Sequence, residues 1–412
     1  ETDNTAKVQR KIQEDNDTRA DQRLTLRARL LDFVLGDWDR HEDNWRWQEK
    51  KGKGGTTYIP VPRDRDKVFY KTSGVLPWVL NHQWLKTHLQ PYSPTIRDVN
   101  HWNFNERFFD RYFLNELSEQ DWRDEIKLVQ HRLSTQVITG AFKNMPDTIF
   151  KLGGQELIRN LTSRRDQLAD LAMEYYQFLS INVDVPASDK KEYFEISNQE
   201  NGNLEVKVFN INKEGKKGRL VYSRTFNPSA TREVRIYGMA GEDVFDVSGS
   251  TASSIKVRMV GGNDSDSFKV ATAVVNKPYI YDRSDEPNEL PLRSAAKLRL
   301  AADTSVNYFN KNGFLYDRSG PLFSFNYNID QGLQLAAGYI IEKQGFRKEP
   351  YASKHEFWAN YSTGRQSFIL DYLADFKKAI GSNDLTVHAN LLGPNNLSNF
   401  FGLGNNTEFI NL

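Results

Sequence analysis

One stretch of sequence occurs twice between residues 235 and 268. Arg235-Ile236-Tyr237-Gly238, followed by Asp243 and Phe245, matches Arg258-Met259-Val260-Gly261, followed by Asp266 and Phe268, at a constant offset of 23. A unit of that length is one strand-turn-strand, too small to bury its own apolar face, so it must stack on its copy. The stack is expected to run in register, with Ile236 over Met259 and Phe245 over Phe268 in one buried ladder. Short strands separated by Gly, Asn, Asp and Ser carry this small stacked β domain over residues 190–285.

The zone before it, residues 1–185, has helical periodicity. No Pro or Gly interrupts Ala6 to Leu35, and Leu24, Leu26, Leu30, Leu31, Val34 and Leu35 form an apolar stripe that stops at Gly36. A second helix is expected from Glu119 to Ala141, with Trp122, Ile126, Val129, Leu133 and Val137 on one face. A third runs from Gln155 to Phe178 with Leu157, Leu161, Leu168, Leu171 and Tyr175. Between them, Trp45–Gln48 and Thr57–Pro60 flank the basic, glycine-rich run Lys50 to Gly55, the pattern of a β-hairpin.

Residues 295–412 alternate instead with a period of two. Phe323, Phe325, Tyr327 and Ile329 interleave with Ser324, Asn326 and Asn328, and Leu333, Leu335, Ala337, Tyr339 and Ile341 follow a turn; Phe368, Leu370, Tyr372 and Ala374 repeat the scheme. Strands of about ten residues joined by tight turns fit a transmembrane β-barrel, and equally a sandwich with one wet face. Lys297 to Leu392 holds about six such segments, fewer than the roughly eight of the smallest single-chain barrels.

Composition narrows the classes. With 55 basic against 54 acidic residues, a net charge of +1 and no cysteine, disulfides and Cys-ligated zinc are excluded, and nucleic acid is not expected as a partner. Aromatics reach 12%, a bias of β-rich and membrane-interface proteins. No run approaches the roughly 20 apolar residues of a spanning helix, which leaves closed barrels open. The seven His are scattered without an H-x-x-x-H pair, and no G-x-S-x-G elbow occurs. The opening Glu1-Thr2-Asp3 has neither an initiator Met nor a signal-peptide pattern, so a removed signal or an internal fragment is expected.

The most specific local motif is Gly36-Asp37-Trp38-Asp39-Arg40-His41-Glu42-Asp43-Asn44, directly after the apolar stripe. Asp39 and Asn44 have the D-x-x-x-x-N spacing in which an acid orients an attacking hydroxyl and an amide oxygen binds a metal on nucleotide phosphates. Pro62-Arg63-Asp64-Arg65-Asp66, just past the hairpin, supplies two acidic ligand candidates. Asn44 with Asp64 or Asp66 suffices chemically for Mg²⁺, and the oxygens of all three are expected within about 4 to 8 Å of one another. A structural alternative is a capped loop whose acids are neutralised by Arg40, Arg63 and Arg65. The Asn263-Asp264-Ser265-Asp266 segment resembles calcium-binding solenoid turns, yet the repeat is 23 rather than nine residues, so plain β-turns are expected there.

Residues 20–185 resemble the C-terminal lobe of atypical kinases, especially the CotH-type spore-coat kinases. That resemblance implies Asp39 as the catalytic acid, Asn44 as a metal ligand, Asp64 or Asp66 as the second metal-binding acid, and Mg²⁺ with ATP as cofactors. Only 38 residues precede Asp39, about half of what a nucleotide-binding lobe takes. Whether the chain is an enzyme therefore stays open. Gly345-Phe346-Arg347-Lys348-Glu349-Pro350-Tyr351-Ala352, with His355 and Asn399-Phe400-Phe401-Gly402-Leu403-Gly404-Asn405, resembles the opening strands of the BamA/TamA (surface antigen) superfamily. More closely, it resembles a subgroup in which a metallophosphoesterase domain and a kinase-like region precede the barrel.

Together these readings imply a multidomain α+β chain: a helical kinase-like C-lobe (1–185), a small stacked β domain (190–285), and the antiparallel strands of an incomplete transmembrane β-barrel (295–412). The resemblance implies a bacterial outer-membrane protein segment with periplasmic or surface domains, acting in envelope biogenesis or surface assembly and partnered by outer-membrane lipid and envelope proteins. A secreted or periplasmic kinase-like enzyme with a β-sandwich, and a non-catalytic β-rich binding module, are the alternatives.

Overall fold

The computed structural model describes residues 2–72, 74–80, 88–329 and 331–396. The chain is a mixed α/β protein with four sheets among the described residues, divided into two units, Glu1–Gly313 and Phe314–Leu412. Among the described residues, no helix is long and apolar enough to cross a membrane.

Each expected long helix of the first unit is broken in two. Ala6 to Leu35 becomes Thr5–Glu14 and Gln22–Leu35, because the Asp21 carboxylate accepts the Leu24 N–H and caps a new helix start. Glu119 to Ala141 becomes Glu119–Arg132 and Thr135–Ala141, restarted by the Ser134 hydroxyl on the Val137 N–H. That restart turns the face, so Ile138 is buried and the expected Val137 is 52% exposed. The third run divides at Gln167 into Gln155–Asp166 and Leu168–Ser180. Gly36 closes the second helix at φ 79°, with Tyr92 Cδ2 only 2.5 Å from where a Cβ would stand. Leu26, Leu30, Phe33 and Val34 pack against Trp102, Trp122, Ile126 and Tyr175 as one core. The hairpin forms as read, Trp45–Gly52 against Gly55–Pro62, with Thr2–Asn4 and Thr18–Ala20 on its two edges.

The repeat stacks as two parallel sheets. One has Asn182–Pro186, Glu233–Ala240, Lys256–Asn263, Tyr279–Arg283 and Lys297–Ala301 side by side, all parallel. The other pairs Glu192–Asn198, Val244–Ser248 and Ser267–Val270 in parallel, extended by antiparallel Leu204–Ile211 and Lys217–Phe226. Ile236 sits opposite Met259 and Phe245 opposite Phe268, as the offset of 23 requires. Phe194, Phe245 and Phe268 are buried and stacked with ring centroids 4.4 and 4.8 Å apart. Lys297–Ala301 completes this stack rather than starting the next zone, so the boundary expected near 295 moves to Gly313, and of the six strands from Lys297 to Leu392 five form the sheet of the second unit.

Those five, Arg318–Asn328, Gly332–Gly345, Lys348–Ser362, Ser367–Ile380 and Asn383–Leu392, make an antiparallel meander in chain order. Phe325 lies opposite Leu335, Leu335 opposite Tyr361, and Tyr361 opposite Phe368, one apolar row across four strands. Asn399 to Asn405 lie outside the described residues.

Candidate functional site

The helix Gln22–Leu35 delivers the chain at Gly36 into residues 37–41, and one 3₁₀ turn, Glu42–Asn44, leads into the hairpin. Across the hairpin's mouth the Arg63 N–H donates to the Asn44 carbonyl at 2.7 Å, so the two acidic motifs are tied main chain to main chain. Asn44 is buried, and its Oδ1 accepts the His41 N–H at 2.9 Å while Nδ2 lies 3.5 Å from Asp64 Oδ2, so the amide turns its nitrogen rather than its oxygen to that acid. Asp64 itself is exposed, at a left-handed φ of 52°. Asp39, half-buried, accepts from Asn105 Nδ2 at 3.0 Å. Asp66 is exposed and pairs with Lys67. The ammonium of Lys67 is held above its ordinary range by that hydrogen bond first, and then by the charges of Asp66, Asp39 and Asp64. The structure thus brings Asn44 beside Asp64, while Asp39 is held by Asn105 and Asp66 by Lys67.

Arg40 and Arg65 do not neutralise these acids. Both turn inward to Asp32, which is fully buried: Arg40 Nε reaches it at 3.2 Å and Arg65 Nη2 at 2.9 Å, and Arg29 Nη1 joins at 3.1 Å. Arg40 also bonds Asp37 and the Arg63 carbonyl. Beyond Arg29 lie Asp110, held by Arg29 Nε at 3.0 Å and by the Tyr175 hydroxyl at 2.9 Å, and Glu106, which accepts the Trp45 indole N–H. A carboxylate with three guanidinium partners anchors both motifs to one helix and leaves Asp39, Asp64 and Asp66 facing outward, together with Glu42 and Asp43. The sequence reading missed this anchor; its signal was Asp32 standing three residues after Arg29 inside an apolar stripe.

Burial pushes Glu106 up to about 8, against the pull of Arg29, and raises Asp37 to about 6 through burial and its neighbour Asp32. Glu106 therefore holds a proton in the fold that the unfolded chain loses above pH ~4.3. Its contribution to stability is complete below that value and is lost as pH rises towards 8. The unfolding midpoint, followed by tryptophan fluorescence from pH 4.5 to 8.5, is expected to fall with rising pH, and Glu106→Gln, which keeps an acceptor for Trp45, to flatten that slope. An unchanged slope in the variant would assign the dependence to other groups.

The carboxylates of Asp39, Asp64 and Asp66 are oxygen donors of the kind Mg²⁺ takes, while Lys67 and the Asn44 amide nitrogen stand among them. Among the described residues no three His, Cys, Asp or Glu side chains are gathered so as to hold a metal ion. No family model matches this sequence, and no curated protein or solved structure is significantly similar to it.

Proposed function

We propose that the chain is a segment of a bacterial outer-membrane protein, in which a helical kinase-like region and a stacked β domain precede the first strands of a transmembrane barrel. The observation that carries this reading is the two-faced meander of the second unit. On one face Phe323, Phe325 and Tyr327 are 74%, 83% and 70% exposed, beside Leu333, Leu335, Tyr339, Phe357, Tyr361, Phe368 and Leu370. On the other, Asp371 takes His388 Nε2 at 2.7 Å and Asn390 Nδ2 at 3.0 Å, and Lys354 pairs with Glu356. Apolar on one side and hydrogen-bonded polar on the other is what lipid outside and water inside select. Strands of 10 to 15 residues meet the about nine to eleven that span a bilayer. In a sandwich that apolar face would be packed.

The test is physical state. The chain is expected to aggregate in buffer and to disperse in detergent micelles, and the double variant Phe325→Asp with Leu335→Asp to lose its detergent requirement. A soluble monomer by light scattering without detergent would favour the sandwich.

A phosphoryl-transfer role for the first unit is the second reading, favoured by the outward carboxylates of Asp39, Asp64 and Asp66. In it Asp39 orients the acceptor hydroxyl, and Asn44 with Asp64 or Asp66 holds Mg²⁺, which would neutralise phosphate charge. Lys67 would have to release Asp66 first. Turnover of labelled ATP that is lost in Asp39→Ala would support this role; absence of turnover favours a retained scaffold.

A further inference from the structure

The stacked domain buries three aspartates that the candidate site does not use. Asp243, Asp266 and Asp282 are 1%, 1% and 0% exposed. One oxygen of each is occupied. Asp243 Oδ1 accepts the Glu192 N–H at 2.8 Å and Asp266 Oδ1 accepts the Asp243 N–H at 2.9 Å, one coil to the next. Asp282 Oδ1 takes the Arg283 N–H at 2.7 Å and Asn307 Nδ2 at 3.1 Å. The other oxygen, Oδ2, has no donor in any of the three. The neighbours acting on Asp266 are themselves acidic: Asp282, Glu286 and Asp264.

The orphan oxygens converge where the backbone is bare. A Cβ on Gly261 would stand 2.2 Å from Asp266 Oδ2 and 2.5 Å from Asp282 Oδ2, so only glycine leaves room for both. Gly238, its equivalent one coil earlier, does the same for Asp243 Oδ2 at 2.2 Å. Asn307 bonds Asp282 Oδ1 and the Gly262 carbonyl through Nδ2, and its own Oδ1 is buried without a donor. Unpaired carboxylate oxygens in the interior are costly unless a cation or a proton satisfies them.

We propose that the Oδ2 atoms of Asp266 and Asp282, which converge beside Gly261, hold a divalent cation of the calcium type at this corner of the stack. Two carboxylates completed by water make an oxygen-only, irregular set, which Ca²⁺ accepts more readily than Mg²⁺ with its stricter octahedron. A donor set with only two acids is compatible with the lack of any three-acid cluster. Its role is structural: the ion joins the coil of Lys256–Val270 to that of Tyr279–Arg283.

The experiment uses the 412-residue chain in detergent, stripped with chelator, at pH 7.5. Adding 1 mM CaCl₂ is expected to raise the thermal midpoint by about 3 to 5 °C. Asp266→Asn and Asp282→Asn should each erase that rise, whereas Asp64→Asn at the other acidic site should keep it. Should both variants fail to fold, equilibrium dialysis of ⁴⁵Ca²⁺ against the Asp64→Asn chain replaces them, and about one ion per chain is expected. No rise with Ca²⁺, Mg²⁺ or Mn²⁺, a rise retained in both variants, or no bound ion would overturn the proposal. Stabilisation on acidification to pH 5.5 without any calcium response would assign the orphan oxygens to protons instead, and overturn it too.

Discussion

Asp32→Ala is expected to lower the stability of the first unit by about 3 to 5 kcal/mol, the range for removing one partner of a buried ion pair. Its carboxylate is fully buried and holds Arg29, Arg40 and Arg65 together, and Arg29 and Arg40 are themselves 2% and 1% exposed. The loss leaves guanidinium groups in a dry interior with Asp110 and Asp37 as their remaining carboxylate partners among the described residues. Urea unfolding read by tryptophan fluorescence measures it, since Trp45, Trp47, Trp102 and Trp122 are buried in this unit. Because Arg40 and Arg65 fix the segments bearing Asp39 and Asp64, amide exchange should also quicken from residue 37 to residue 67. A change below about 1 kcal/mol would show that the remaining acids suffice.

Phe245→Ala is expected to cost about 3 to 5 kcal/mol, from the lost apolar burial and the cavity left behind. Phe245 is fully buried between Phe194 and Phe268, so two ring contacts go with one side chain. Phe245→Leu should recover much of the loss, since volume returns without the stacking. The exposed Val137→Ala serves as the control and should move stability by about 0.5 kcal/mol or less. A Phe245→Ala cost no greater than that control would mean that the rings do not hold the stack.

What the residues disclosed depended on how local the signal was. The offset of 23 carried its own register, because a repeat specifies which residue sits over which; Ile236 on Met259 needed no tertiary knowledge. The coils on either side escaped notice because they keep the geometry without the motif: Asn182–Asn198 carries Phe194 but no Gly-Asp pair, and Tyr279–Arg283 puts Asp282 where its neighbour has Gly261. Helix ends were misread where a single side chain decided them. Asp21 and Ser134 each offered a main-chain N–H a better partner than continued helix, and an apolar stripe does not register that choice. At the candidate site, proximity of Asn44 and Asp64 followed from the hairpin between them, which brings its two ends together whatever lies elsewhere. The inward turn of Arg40 and Arg65 did not follow, because it depends on Asp32, 8 residues before one and 33 before the other.

The parallel stack also fixes length in discrete steps. Every coil adds one strand spacing of about 4.8 Å, so the four steps from Asn182–Pro186 to Lys297–Ala301 set a reach of roughly 19 Å. Gain or loss of one 23-residue copy would change that reach by a single increment and keep the phenylalanine column in phase. The domain is thereby graduated along its own axis in steps written in the gene, while the chain leaving its last strand folds back to pack Phe309 on Tyr237 and Tyr112.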